Sequence, residues 1–178
     1  MANPRSIFLL ALVFAAALPA SAQRAQRQTL SSAQIEQIRE AGIDPNQRIR
    51  LYTKFLDERA EAIQKLTSRS NSPARARLLD DALLDFTALI DELGSNLDQY
   101  GDRKADMRPA LKKLNASGPN WMGILRALPG EPTFDEARKE AIEACGDLLG
   151  DSGRLEKDQL AYFRAHKDEK GQERAEPK

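Results

Sequence analysis

The chain has 178 residues, 41% hydrophobic and 30% charged, with 27 basic groups against 27 acidic ones, one cysteine and one histidine. That length suits a single domain after removal of a leader, and the even charge excludes a dedicated nucleic-acid binder, which carries a marked basic excess. The lone Cys145 excludes an internal disulfide, and together with the lone His166 it excludes structural zinc sites built from several such ligands.

The N-terminus reads as a secretory signal. Arg5 is its only charge, Ile7 to Leu18 is an unbroken apolar run of twelve residues, and Ala20-Ser21-Ala22 fits small-x-small cleavage. Twelve residues are too few for a membrane span, which takes about 20. Cleavage after Ala22 leaves 26 bases against 27 acids and no second apolar run of membrane length. The expected organisation is a cleaved leader over 1–22, a loose stretch over 23–30, one helical domain over 31–165 and a disordered charged tail over 166–178.

Ser31 with Gln34 three residues on forms a capping box for a short first helix ended by Gly42. Asp44-Pro45 pairs an N-cap with a first-turn proline and opens a helix to about Thr67, its core face carrying Ile49, Tyr52, Leu56, Ile63 and Leu66. Ser72-Pro73 repeats the start signal after a turn.

From Leu79 to Leu114 the apolar residues keep steps of four and three, with one gap at Lys104, through Leu83, Phe86, Ile90, Leu93, Leu97, Tyr100, Met107 and Leu111. Gly94, Gly101 and Pro109 oppose a continuous helix, at about 1 kcal/mol for each glycine and about 3 for an interior proline. The seam nevertheless holds its register across all three, which favours one helix over 74–114, kinked before Pro109. A loop over 115–120, a short helix around Trp121 to Leu128, a stop at Pro129-Gly130-Glu131-Pro132 and a capping box at Thr133–Glu136 follow. The last helix runs through Cys145 to Phe163, with Gly146, Gly150 and Gly153 weakening its middle. The fold class is therefore all-α, an elongated antiparallel helical bundle with one long central helix.

Between Leu78 and Asp102 lie seven acids and no base, whereas the preceding helix and turn are basic. An antiparallel hairpin of the two would set opposite charges beside its apolar seam, as in coiled coils.

Catalytic chemistry is sparse. A Cys-His pair needs contact, and His166 lies about six helical turns beyond Cys145. No Glu-x-x-His motif suits a carboxylate di-iron bundle, and no glycine-rich phosphate loop is present. Asp91, Asp98, Asp102 and Asp106 fall near one helical stripe without EF-hand spacing. They read as a solvated face. Asn115-Ala116-Ser117 matches a glycosylation acceptor. No cofactor, metal or small-molecule substrate is indicated. A protein partner or self-association is, through a surface that includes Trp121, Met122, Leu93 and Leu97, the aromatic and Met residues also reading as core.

Leu30-Ser31-Ser32-Ala33-Gln34 resembles the Leu-Thr-x-x-Gln signature of small periplasmic helical stress proteins, with serine in place of threonine and one copy instead of two. The resemblance implies a periplasmic chaperone or metal-stress sensor with a concave apolar or basic surface. The residues themselves point to an exported, non-enzymatic helical protein, periplasmic or extracellular, acting through protein contacts. A third expectation, a carboxylate-based enzyme, requires two acids in a cleft with raised pKa values.

Overall fold

The computed structural model describes residues 29–166; the expected leader and nearly all of the expected tail lie outside the described residues. The described chain holds five helices and no strand: α1 (Ser32–Glu40), α2 (Pro45–Thr67), α3 (Pro73–Asp102), α4 (Arg108–Arg126) and α5 (Asp135–Ala165).

The starts of the first three follow their cap residues. Ser31 Oγ accepts from the Gln34 N–H at 3.2 Å, and Gln34 Oε1 accepts from the Ser31 N–H at 3.0 Å. Gly42, at φ +60, takes the left-handed conformation that ends α1. Asp44 Oδ1 caps α2 through the amides of Asn46 and Gln47, and Ser72 Oγ caps α3 through that of Arg75. Thr29 and Leu30, within the stretch expected to be loose, are buried. The Thr29 carbonyl accepts from Arg59 Nη2 at 2.7 Å, which draws this segment onto α2.

The single helix expected over 74–114 is instead two helices. α3 ends at Asp102, Lys104 turns at φ 53, and α4 starts at Arg108. Pro109 is then the second residue of α4, where its missing N–H removes no helical bond. The link is held from outside. Gln159 on α5 bonds both the Ala105 carbonyl and the Met107 amide, and Asn46 on α2 bonds the Asp106 carbonyl and the Ala110 amide. Arg108 grips Asp106 with two nitrogens, at 2.8 and 2.6 Å, and these hydrogen bonds hold the Asp106 carboxyl below its usual range. The seam keeps phase across this break because Ala105 and Met107 are buried in the link itself.

Two further expectations are corrected. Residues 115–120 are not a loop: α4 runs through them, with Pro119 inside it. Gly118 serves close packing here, since a Cβ on it would lie 2.0 Å from Leu149 Cδ2 on α5. The local cost of Pro119 is offset by burying Leu114, Trp121 and Leu125 on either side of it. The Thr133–Glu136 capping box does not form either. The N-cap is Phe134, fully buried, with no side-chain cap. α5 is unbroken for 31 residues despite three glycines, because Cys145, Leu148, Ser152, Gln159 and Phe163 bury one stripe along it.

α2 packs against α3 and α4, and α5 packs against the same two, so α3 and α4 stand at opposite corners. The α2–α3 and α4–α5 hairpins are antiparallel. The other two faces are parallel: Asn46 meets the start of α4 and Asp57 meets Trp121, while Arg75 meets Glu131 and Gly101 meets Leu155. Phe86 and Trp121 join the opposite corners through the core in an edge-to-face contact, centroids 6.2 Å apart.

Cys145 is buried and free, and burial pushes its thiol up to about 11 from a usual value of 9.0. Iodoacetamide at pH 8 should therefore alkylate the native protein at least about 100-fold more slowly than the protein in denaturant, because the thiolate is the reactive form. Equal rates in the two states, followed by mass spectrometry, would show the thiol to be open.

Candidate functional site

Because α3 and α5 run parallel, their outward stripes stay side by side along the bundle. Between them lies a groove of about 1050 Å³. Its floor is apolar: Ile90, Leu97 and Leu148 are buried, and Leu155 is half-buried. Gly94 and Gly101 keep its α3 wall low. A Cβ on Gly94 would meet no atom within 4 Å, and one on Gly101 would rest 3.7 Å from Leu155 Cδ1.

The walls are acidic. α3 contributes Asp91, Asp98 and Asp102, and α5 contributes Glu140, Glu143, Asp147, Asp151 and Asp158. The only base in the lining is Arg154, whose guanidinium is bound to Asp151 at 2.6 Å. Seven of the eight carboxylates are exposed and Glu140 is half-buried. Among the described residues no group of three or more His, Cys, Asp or Glu side chains is placed to hold a metal ion. No described helix is long and apolar enough to cross a membrane.

The groove is half of a wider asymmetry. α3 and α5 together carry fifteen acids and seven bases, whereas α2 and α4 carry nine bases and three acids, with no acid in α4. Since α3 lies beside α5 and α2 beside α4, one side of the bundle is acidic and the other basic.

Of the acids singled out in the sequence, Asp91, Asp98 and Asp102 line the groove, while Asp106 is taken by Arg108 in the α3–α4 link. The partner surface expected at Trp121, Met122, Leu93 and Leu97 is corrected. Trp121 and Leu93 are fully buried, Leu97 is a floor residue only 3% exposed, and Met122 is half-buried beside Gly146. The seam is satisfied inside the chain. Trp121 also donates its indole N–H to Asp57 Oδ1 at 2.7 Å, a polar need met within the bundle. The α5 wall was missed, although its acids recur at steps of three, four and four from Glu140 to Asp151, a helical stripe readable in the sequence.

His166 stacks on Tyr162, with centroids 4.3 Å apart, at the far end of α5 from Cys145. A second polar cluster joins three segments: Tyr52 donates to Glu92 Oε1 at 2.5 Å and Thr29 donates to Glu92 Oε2 at 3.3 Å. Burial and this carboxylate hold the Tyr52 hydroxyl well above its ordinary range. The cluster ties residues before α1 to α2 and α3. Ser31 and Gln34, which carry the stress-protein resemblance, spend their side chains on capping α1.

No protein-family model matches the chain, no curated protein sequence matches it, and no solved structure matches it.

Proposed function

We propose that this is an exported, non-enzymatic helical protein that acts through protein contacts, with the α3–α5 groove as its contact surface. The groove carries the reading: it combines an apolar floor with eight carboxylates and a single, internally paired base. Such a surface suits a cationic segment with an apolar face, because opposite charge steers the encounter and apolar contact holds it. The exposed setting of its acids favours binding over acid–base catalysis, which needs at least one carboxyl kept protonated near neutral pH. A stress chaperone of the resembling kind calls for a concave apolar or basic surface; the groove has the apolar floor, but its acidic walls suit a cationic partner more than a general client. Export rests on the leader pattern of residues 1–22.

The test has two parts. A lysine-rich amphipathic helical peptide is titrated into the protein. Asp98→Lys with Asp147→Lys should weaken its binding by at least about tenfold, the size of a loss of about 1.4 kcal/mol. Equal affinity for parent and variant would remove the groove from the reading. In parallel, the full chain is expressed in a bacterium and recovered from the envelope fraction. An intact mass beginning at Gln23 is expected, and uncleaved cytosolic protein would end the claim of export.

A further inference from the structure

We infer that the groove between α3 and α5 receives α4 of a second copy of this chain. The inference rests on the groove being a contact surface, as proposed above, and names its occupant.

α4 is the one long helix without an acid, and its exposed side carries Lys112, Lys113 and Arg126. Along this ridge, between Lys113 and Arg126, the exposed positions are Ala116, Pro119, Asn120 and Gly123, none of them long or charged. From Lys112 to Arg126 the ridge extends about 21 Å at 1.5 Å per residue. The acidic walls extend about 16 Å on α3, from Asp91 to Asp102, and about 27 Å on α5, from Glu140 to Asp158. Ridge and groove are thus comparable in length and opposite in sign of charge. Without residues 1–22 the chain carries 26 bases against 27 acids, so overall repulsion between copies is slight.

Ridge and groove lie on different sides of the bundle, since α4 packs against α2 and α5 and stands at the corner opposite α3. A contact between them is therefore heterologous. It leaves one free groove and one free ridge on each pair, and association continues by the same contact.

Sedimentation of the purified exported protein tests this. At about 0.01 M salt, where charges act over about 30 Å, the weight-average mass should climb with concentration beyond two chains. At about 1 M salt, where the range is about 3 Å, it should return to one chain. Two variants sharpen the result, each first shown by circular dichroism to melt as the parent does. Lys112→Glu with Lys113→Glu makes both surfaces acidic, and Asp91→Lys, Asp98→Lys, Glu143→Lys and Asp147→Lys together leave four groove acids against five bases, which turns the groove basic against a basic ridge. Each alone should sediment as one chain, and an equimolar mixture should associate again, because opposite charges then face each other between the two variants. A parent that stays single at every concentration in low salt overturns the inference, as do variants that associate as well as the parent. If the parent stays single but still binds the lysine-rich peptide through Asp98 and Asp147, the occupant is another protein and the contact surface stands. If the peptide also fails to bind, both conclusions fall.

Discussion

Replacing Trp121 by alanine is expected to cost the bundle about 3–5 kcal/mol, the usual toll for deleting a large aromatic from a packed core. Trp121 is fully buried, stands edge-on to Phe86 across the bundle, and bonds Asp57 through its indole nitrogen. The substitution therefore opens a cavity between opposite corners and strips a half-buried carboxylate of its closer donor, leaving Ser117 Oγ at 3.5 Å. Domains of this size commonly have 5–15 kcal/mol in total, so the variant should retain a small reserve. Thermal unfolding should drop by roughly 2–4 °C per kcal/mol lost. Trp121→Phe separates the two effects, since it keeps most of the ring volume and removes only the donor, at about 1–3 kcal/mol. Urea unfolding of both variants reads the difference. A loss under about 1 kcal/mol for Trp121→Ala would place the residue outside the core and would restore it as a candidate partner surface.

Of the two readings of Trp121, buried anchor and partner edge, the first is the one the structure shows, and which readings succeed follows from what a single chain can display. Where a helix boundary is set by residues next to it, the reading succeeded: Asp44-Pro45 and Ser72-Pro73 open α2 and α3 through bonds spanning two or three residues. Where a boundary depends on distant partners, it failed. The break between α3 and α4 is satisfied by Asn46 and Gln159, which lie 52 to 64 residues away from the groups they bond. The loop expected over 115–120 failed for a related reason: Gly118 within it serves the close approach of Leu149, a residue of another helix.

The candidate groove was half visible on the same grounds. Asp91, Asp98 and Asp102 form a stripe that helical periodicity reveals, and the α5 acids form another. That the two stripes share one groove depends on α3 and α5 running parallel, and they do so because the short α3–α4 link passes across the end of the bundle to the opposite corner. Charge told the same partial story. The contrast between α2 and α3 is plain in the sequence, whereas the division of the whole molecule into an acidic and a basic side appears only once α5 is set beside α3 and α4 beside α2.

The link itself should be the second point of fragility. Gln159 is 6% exposed, accepts from the Met107 amide at 2.9 Å and donates to the Ala105 carbonyl at 2.6 Å. Gln159→Ala leaves both backbone groups without that partner, at about 1–3 kcal/mol for each buried group unsatisfied, hence a total of roughly 2–6. Hydrogen exchange at Met107 should accelerate in step with the loss of global stability, because no helical bond replaces the one removed. Gln159→Glu gives a signed check. Its carboxylate still accepts from Met107 but sets negative charge against the Ala105 carbonyl, and only the protonated acid can donate there. Burial and that carbonyl both favour the protonated form, so the folded pKa of the new acid should lie above its unfolded value of about 4.3. Any stabilisation linked to that proton is then fully present below pH 4.3 and disappears as pH rises through the folded pKa. Relative to the parent, Gln159→Glu should therefore be close to neutral near pH 4 and destabilised near pH 7, whereas Gln159→Ala should show the same deficit at both. Urea unfolding at the two pH values decides it. A Gln159→Ala protein within about 0.5 kcal/mol of the parent, the range of ordinary surface changes, would mean that the link is held by Asn46 and the Arg108–Asp106 pair alone.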